Sequence, residues 1–243
     1  DNGIASHAGI MECNFLGMTV LVTDHHLPAA GMPPPDARVI CNPNQDGCKF
    51  PSKSLAGVGV AWYVMCALED EMDRRGIEPM EDGFRAASLL PIVAIGTVAD
   101  VVPLDRNNRI LVTEGLRRIH RGETFPGIDA LAKTAKRNPR ELTTGDIGFG
   151  IGPRINAAGR LETMDAGVEC LTTESFARAE ALATHLHELN EKRKNIEGDT
   201  TEQAVDQLLN ELGVDGRYTV VLHGDQWHEG VIGIVAGRVR ERT

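Results

Sequence analysis

Two short apolar runs separated by a proline-rich loop constrain the fold of this 243-residue chain more than any other feature. The runs MTVLVTD at 18–24 and ARVICNPN at 37–44 have the β-branched and aliphatic residues of short buried strands. The loop PAAGMPPP between them cannot pair in a sheet, because proline lacks the main-chain N–H. A helical pattern at 4–16 comes first, and the order helix–strand–loop–strand predicts a doubly wound α/β layer.

The rest of the chain is predicted to be mostly helical. The apolar run at 84–104 should be buried, with Asp100 its one carboxylate among valine and alanine. The run YTVVLHGD at 218–225 predicts another strand. The pattern at 174–212 predicts a long helix that connects two domains. Further helices are predicted at 54–76, at 109–120 and, as short segments, over 126–160. The segment 229–242 predicts a glycine-rich entry into a helix with a basic end.

Composition limits the functional class and the compartment. The net charge of -10 argues against a general DNA-coating protein, although a cleft can still be locally positive. Five cysteines without a CxxC pair fit a reducing cytosol, so we expect a cytoplasmic protein, and no apolar run is long enough for a membrane helix. The first residue is Asp1, without an initiator methionine, and Thr243 follows what looks like the middle of a domain. We therefore expect an internal piece of a longer protein.

Asp24, His25 and His26 stand where the first apolar run ends, which in a parallel sheet is the edge where ligands bind. Imidazole and carboxylate together suit manganese, zinc or iron, but solvated histidines at a strand end would leave the same pattern. Asp100 favours the metal, because a buried carboxylate needs a partner, and either an ion or an arginine would serve. With Asp1, these residues offer part of a two-metal site.

Two further segments could recognise phosphate or a base. In IGPRINAAGRLE at 151–162, Arg154 and Arg160 flank Asn156, and arginine forks match phosphate oxygens. A glycine-broken helix with surface arginines is an equal alternative. Trp227 and His228 precede a helix start whose main-chain amides can hold phosphate, while an indole face can stack a base. A tryptophan in the domain core explains the same pattern equally well.

The ordered motifs resemble those of the RecJ single-strand exonucleases of the DHH phosphoesterase superfamily, and the resemblance covers essentially the whole chain. The motifs are VTDHHLP, CNPN, LAGVGVA, GTVADVVPL, GPRINAAGRL and WHEGVIGIVAGR. The resemblance implies a 5′-to-3′ exonuclease on single-stranded DNA that uses two Mn²⁺ or Mg²⁺ ions and serves DNA repair and recombination. It also implies a Rossmann-like DHH domain at 1–172, a connector helix at 173–213 and the start of an α/β DHH-associated domain at 214–243.

The same resemblance implies roles for individual residues. Asp1 would bridge the two metal ions, while His25 and Asp100 would bind one of them. Asp24 and His26 would act in catalysis, with His26 near the scissile phosphate, and Arg154 would lie close to that phosphate. The residues implied to bind the DNA strand are Arg154, Asn156, Arg160, Trp227, His228 and Arg238. We also expect Arg154 or Arg160 to face the same cleft as the metal ligands.

One departure from the family pattern bears on activity. The Asp-rich DxDxDG motif that supplies the other metal ligands is absent from these 243 residues, so we expect the isolated chain to be inactive. Two alternatives stay open, namely a phosphodiesterase for short oligonucleotides or cyclic dinucleotides and a non-catalytic RecJ-like scaffold. The expected partners are single-stranded DNA, single-strand-binding protein and a RecQ-type helicase, with the protein itself a monomer.

Overall fold

The computed structural model describes residues 1–78, 85–209 and 218–242. These residues are mostly helical with one small parallel sheet, which confirms the predicted α/β class. The strands are β1 (Leu21–Thr23) and β2 (Val39–Cys41). The helices are α1 (His7–Phe15), α2 (Gly57–Arg75), α3 (Leu90–Ala99), α4 (Arg106–Arg121), α5 (Pro126–Thr134), α6 (Thr144–Asp146), α7 (Gly152–Leu161), α8 (Asp165–Thr172), α9 (Phe176–Gln207) and α10 (Glu229–Arg242). In this part of the chain, none of them is long and apolar enough to cross a membrane.

Strands β1 and β2 pair in parallel, with Val22 opposite Ile40 and Thr23 opposite Cys41. Because parallel strands end at the same edge of a sheet, the residues after β1 and after β2 become neighbours. The main-chain N–H of Asp24 donates to the carbonyl of Cys41 over 3.0 Å and extends the pairing by one residue. The polar segment that follows β1 therefore begins directly beside the CNPN motif.

The chain divides into two compact units. One comprises Asp1–Thr124 and Asn138–Gly152, and the other comprises Phe125–Arg137 and Pro153–Thr243. These units of packing do not follow the predicted boundaries after residues 172 and 213. The assignment of 1–172, 173–213 and 214–243 to three functional segments stays a prediction, and the boundary at 213 falls outside the described residues.

The first unit is built on the contact between α3 and α4. Gly115 makes this contact possible, because a Cβ at that position would lie 2.3 Å from the carbonyl oxygen of Leu90 and 2.5 Å from the Cβ of Ala94. Asp105 caps α4 by accepting a hydrogen bond from the main-chain N–H of Asn108. The buried core next to these helices consists of Leu55, Val60, Leu90, Val93 and Leu111.

The second unit is organised by α9, a helix of 32 residues that confirms the long helix predicted from sequence. Ser175 caps it by accepting from the main-chain N–H of Arg178, and α5, α8 and α10 pack along it. The core between α9 and α10 consists of Ala204, Leu208, Val231, Val235 and Val239. The last residues of the predicted helix, 210–212, lie outside the described residues.

Two local predictions are wrong. Residues 218–225 form no strand, since the part of the chain that the structure describes has no strand beside them to accept or donate ladder hydrogen bonds. Asp100 is not buried, because α3 ends at Ala99 and the Asp100 side chain is 44% exposed. The apolar run before it does form the buried helix α3, so the pattern indicated burial correctly but not the point where it stops.

Candidate metal centre

Asp24 is the buried carboxylate of this region. It is 0% exposed and accepts hydrogen bonds from the main-chain N–H groups of Ile4 at 2.8 Å, His25 at 2.6 Å and His26 at 3.0 Å. Burial alone would raise the pKa of Asp24, but hydrogen bonds from the main chain of His26 and Ile4 and from the His26 ring outweigh it and hold the pKa well below its usual range. Asp24 is therefore an ionised acceptor that fixes the main chain around the two histidines.

The His26 ring is oriented by that carboxylate. Its Nδ1 lies 2.8 Å from Asp24 Oδ1, and because an ionised carboxylate can only accept, Nδ1 is the donor. The other ring nitrogen, Nε2, is then left to take or give a proton. The His26 side chain is 49% exposed, so the ring is open to solvent. Such a pair suits a general acid or base at the edge of the sheet.

His25 lies between two further carboxylates. Its Nε2 is 3.6 Å from Asp1 Oδ1 and 3.5 Å from Asp100 Oδ2, and Asp1 Oδ1 is also 3.4 Å from His26 Nδ1. His25 thus lies near both carboxylates, and the predicted sharing of a metal by Asp1, His25 and Asp100 stays a prediction. Asp100 reaches His25 from the end of α3.

Each of the two carboxylates could share a divalent cation with His25. An ion that binds at about 2.1 Å can be shared by atoms up to about 4.2 Å apart, and His25 Nε2 lies 3.6 Å from Asp1 and 3.5 Å from Asp100. Two carboxylates and one imidazole are also donors that Mn²⁺ and Mg²⁺ accept. In the described part of the chain, Asp1, His25 and His26 are a group whose ligand atoms all lie within 4.8 Å of one another. The binding roles themselves stay predictions.

Two asparagines of the CNPN motif hold this segment in place, and sequence reasoning assigned them no role. Asn42 donates from Nδ2 to the carbonyl of His26 over 2.9 Å, and Asn44 donates from Nδ2 to the carbonyl of His25 over 2.6 Å. Asn42 Oδ1 in turn accepts from the main-chain N–H of Asn44. The available signal was their position, because residues after the second of two parallel strands must lie beside those after the first.

Comparison with known proteins agrees with this geometry. Residues 1–97 match the model of the DHH family, N-terminal domain. The whole chain is 48% identical to the single-stranded-DNA-specific exonuclease RecJ of Salmonella typhimurium and 38% identical to that of Bacillus subtilis, and it covers 42% and 28% of their lengths. It also superposes over its full length on an exonuclease RecJ bound to manganese, with a TM-score of 0.82 and 34% identity, and covers 57% of that chain.

The chain is RecJ-like in sequence and in fold, and residues 1–97 carry the match to the DHH family. It also matches RecJ of Thermus thermophilus in complex with Mn²⁺ at a TM-score of 0.81 and 34% identity, covering all of this chain and 34% of that one. The chain spans less than half the length of the curated RecJ relatives it matches. These likenesses bear out the family resemblance that the sequence motifs indicated.

Arg154 of this RecJ-like chain lies on α7 in the second unit, where it is 8% exposed. Burial lowers the pKa of its guanidinium, and the Glu191 carboxylate opposes that effect, so the group remains a cation. Asn156 is exposed on the same helix. The prediction that Arg154 or Arg160 faces the metal ligands joins residues of two different units and stays a prediction.

The other residues predicted to bind DNA take part in packing around α10. Arg160 donates from Nη1 to the carbonyl of Gly230 over 3.1 Å, and His228 Nδ1 accepts from the main-chain N–H of Gly230 over 3.0 Å. Trp227 donates from Nε1 to Gln203 Oε1 over 2.9 Å and packs against the core between α9 and α10. These contacts are structural, and a role in stacking or holding DNA stays a prediction.

Arg238 is already in an ion pair. Its Nε lies 2.5 Å from Oε1 of Glu197, a side chain only 1% exposed. The other oxygen of Glu197 accepts from Arg193 Nη1 at 2.5 Å. A buried carboxylate needs such partners, so a phosphate would have to compete with Glu197 for Arg238. Its predicted role in binding DNA is not tested by this contact.

Backbone conformation beside Asp100 leads to a stability prediction. Val101 has φ of 60°, a left-handed conformation that is costly for a β-branched residue, and it is 85% exposed. Val101→Gly should relieve about 1–2 kcal/mol of strain against about 0.5–1 kcal/mol for the added freedom of glycine. We therefore expect urea denaturation to show a small net gain in stability. Val101→Ala, which keeps the Cβ, is the matched control, and a clear loss of stability in Val101→Gly would contradict the argument.

Proposed function

We propose that this chain is part of a metal-dependent exonuclease that hydrolyses phosphodiester bonds of single-stranded DNA in the 5′-to-3′ direction. The observation that supports this most strongly is the cluster of Asp1, His25 and Asp100 beside the oriented Asp24–His26 pair, in a RecJ-like chain. The relatives are named single-stranded-DNA-specific exonucleases, and matched RecJ structures contain manganese or magnesium.

Separate residues would bind the metal, move a proton and bind the phosphate. Asp1, His25 and Asp100 would hold Mn²⁺ or Mg²⁺, with Asp1 as the proposed ligand shared with a second ion. A bound ion of this kind lowers the pKa of water and polarises a phosphoryl oxygen. His26, held through Nδ1 by Asp24, presents Nε2 to move a proton at the scissile phosphate. Arg154 would neutralise phosphate charge through its guanidinium.

The wider proposals follow from the same resemblance. We propose a cytoplasmic protein that serves DNA repair and recombination, receives single-stranded DNA from a RecQ-type helicase or single-strand-binding protein, and works as a monomer. Asn156, Arg160, Trp227, His228 and Arg238 are proposed contacts for the strand. Because the net charge is -10, these local groups would have to supply the attraction to DNA.

A series of labelled substrates tests the proposal in the protein at the full length of its RecJ relatives. We expect Mn²⁺-dependent release of nucleotides from single strands of many lengths, starting at the 5′ end, and little from duplex DNA. Faster turnover of dinucleotides or cyclic dinucleotides than of long strands would favour the small-substrate phosphodiesterase instead. No hydrolysis at any Mn²⁺ concentration would favour a non-catalytic scaffold. That the isolated 243-residue chain is inactive stays a prediction, which the same assay tests.

A further inference from the structure

The first residue of α2 lies so close to a proposed metal ligand that a side chain at this position would collide with it. Gly57 is the first residue of this helix, and a Cβ at that position would lie 2.9 Å from Cγ and Oδ2 of Asp1 and 3.0 Å from its Oδ1. The Asp1 carboxylate therefore occupies the space that any other amino acid at position 57 would need for its Cβ.

We propose that Gly57 is a positioning residue for the metal centre, because it leaves room for the Asp1 carboxylate beside His25 and His26. This inference rests on the proposed function and adds to it a residue that never touches the ion. Asp1 Oδ1 lies 3.6 Å from His25 Nε2 and 3.4 Å from His26 Nδ1. Displacement of the Asp1 carboxylate therefore changes its distance to both imidazoles.

The required displacement is large for a metal ligand. Moving the carboxylate from 2.9 Å to the 3.4 Å of ordinary contact is a shift of about 0.5 Å, and metal–ligand distances tolerate about 0.2 Å. The Asp1 side chain is 59% exposed, so it can swing away without disturbing the core. A Cβ at Gly57 thus moves the ligand and leaves the fold in place. Alanine also suits a helix better than glycine, so the fold should not lose stability.

The test measures Mn²⁺ binding directly, in the protein at the length of its relatives. Gly57→Ala should weaken Mn²⁺ affinity, read from the electron paramagnetic resonance of free Mn²⁺, by roughly 10- to 100-fold, as loss of an outer supporting contact does. The melting temperature without metal should be unchanged or higher. Gly9→Ala on α1 is the matched control, since a Cβ there meets nothing within 4 Å, and its affinity should equal that of the unsubstituted protein.

A double-substitution cycle shows whether Gly57 acts through Asp1. In an Asp1→Ala background, Gly57→Ala should change Mn²⁺ affinity less than twofold, because the displaced ligand is already gone. An undiminished effect in that background would overturn the proposal, as would Gly57→Ala affinity within twofold of the unsubstituted protein. Gly57→Ser brings the same Cβ and must show the same loss, and if both variants fail to fold, the displacement is not confined to Asp1 and the proposal is wrong.

The outcomes separate this inference from the proposed function. If His25→Ala abolishes Mn²⁺ binding while Gly57→Ala does not weaken it, the metal centre stands and the role of Gly57 is refuted. If the unsubstituted protein binds no Mn²⁺, the proposed function fails first, and the inference fails with it.

Discussion

Replacement of His25 by alanine should reduce Mn²⁺-dependent degradation of single-stranded DNA by at least about a thousandfold. His25 Nε2 lies 3.6 Å from Asp1 and 3.5 Å from Asp100, so its removal takes away the proposed ligand between the two carboxylates. Metal catalysis of phosphoryl displacement contributes several kcal/mol, and about 4 kcal/mol corresponds to a thousandfold change in rate. The initial rate of nucleotide release measures this directly in the protein at the length of its relatives.

The controls for this prediction are a second histidine and a second ligand. His7, at the start of α1, lies in the same unit and outside the metal-ligand group, so His7→Ala should retain nearly full activity. Asp100→Asn keeps the shape of the side chain but removes its charge, and we expect a loss comparable to that of His25→Ala. Retention of more than a tenth of the activity by His25→Ala would show that His25 does not bind an essential ion.

Asp24→Ala should have the largest effect on stability of any substitution in this region. The change removes the acceptor of three main-chain N–H groups and of the His26 ring, at a carboxylate that is itself 0% exposed. A buried donor left without its acceptor typically costs about 1–3 kcal/mol. Urea denaturation should show that loss, and activity should disappear because His26 is no longer oriented.

Two other variants serve as comparisons for Asp24→Ala. Asp24→Asn keeps one acceptor oxygen and the volume, so its loss of stability should be smaller, although His26 would still lose its ionised partner. Glu71 is a partly exposed surface carboxylate that two arginines contact, and Glu71→Gln should leave the denaturation midpoint almost unchanged. If Asp24→Ala were as stable as Glu71→Gln, the buried network around Asp24 would contribute little to the fold.

Elements that depend on neighbouring residues were predicted from the sequence better than elements that depend on distant partners. The helical periodicity of 174–212 and the polar triplet after the first strand were enough to place α9 and the edge where Asp24, His25 and His26 lie. Both signals are local, because periodicity and strand ends depend on neighbouring residues alone. The strand predicted at 218–225 failed for the opposite reason, since a strand requires partners that its own sequence does not contain.

The prediction of the metal centre shows the same difference between local and tertiary signals. That Asp1, His25 and Asp100 would meet was predicted, but the reasoning held Asp100 to be buried, and the buried carboxylate is Asp24. Both lie in or beside apolar runs, and the exposure of Asp100 follows from the point where α3 stops. The contribution of Asn42 and the closeness of Gly57 to Asp1 depend on tertiary contacts. No residue pattern in the sequence indicates those contacts.

The location of bound manganese tests the central claim most directly. Crystals of the protein grown with Mn²⁺, with diffraction measured at the manganese absorption edge, should show an anomalous peak within about 2.0–2.3 Å of Asp1, His25 and Asp100 side-chain atoms. The same crystals of His25→Ala should lose that peak while keeping the fold. A manganese peak bound by other residues, or no peak beside His25 at saturating Mn²⁺, would contradict the assignment of this cluster as the metal centre.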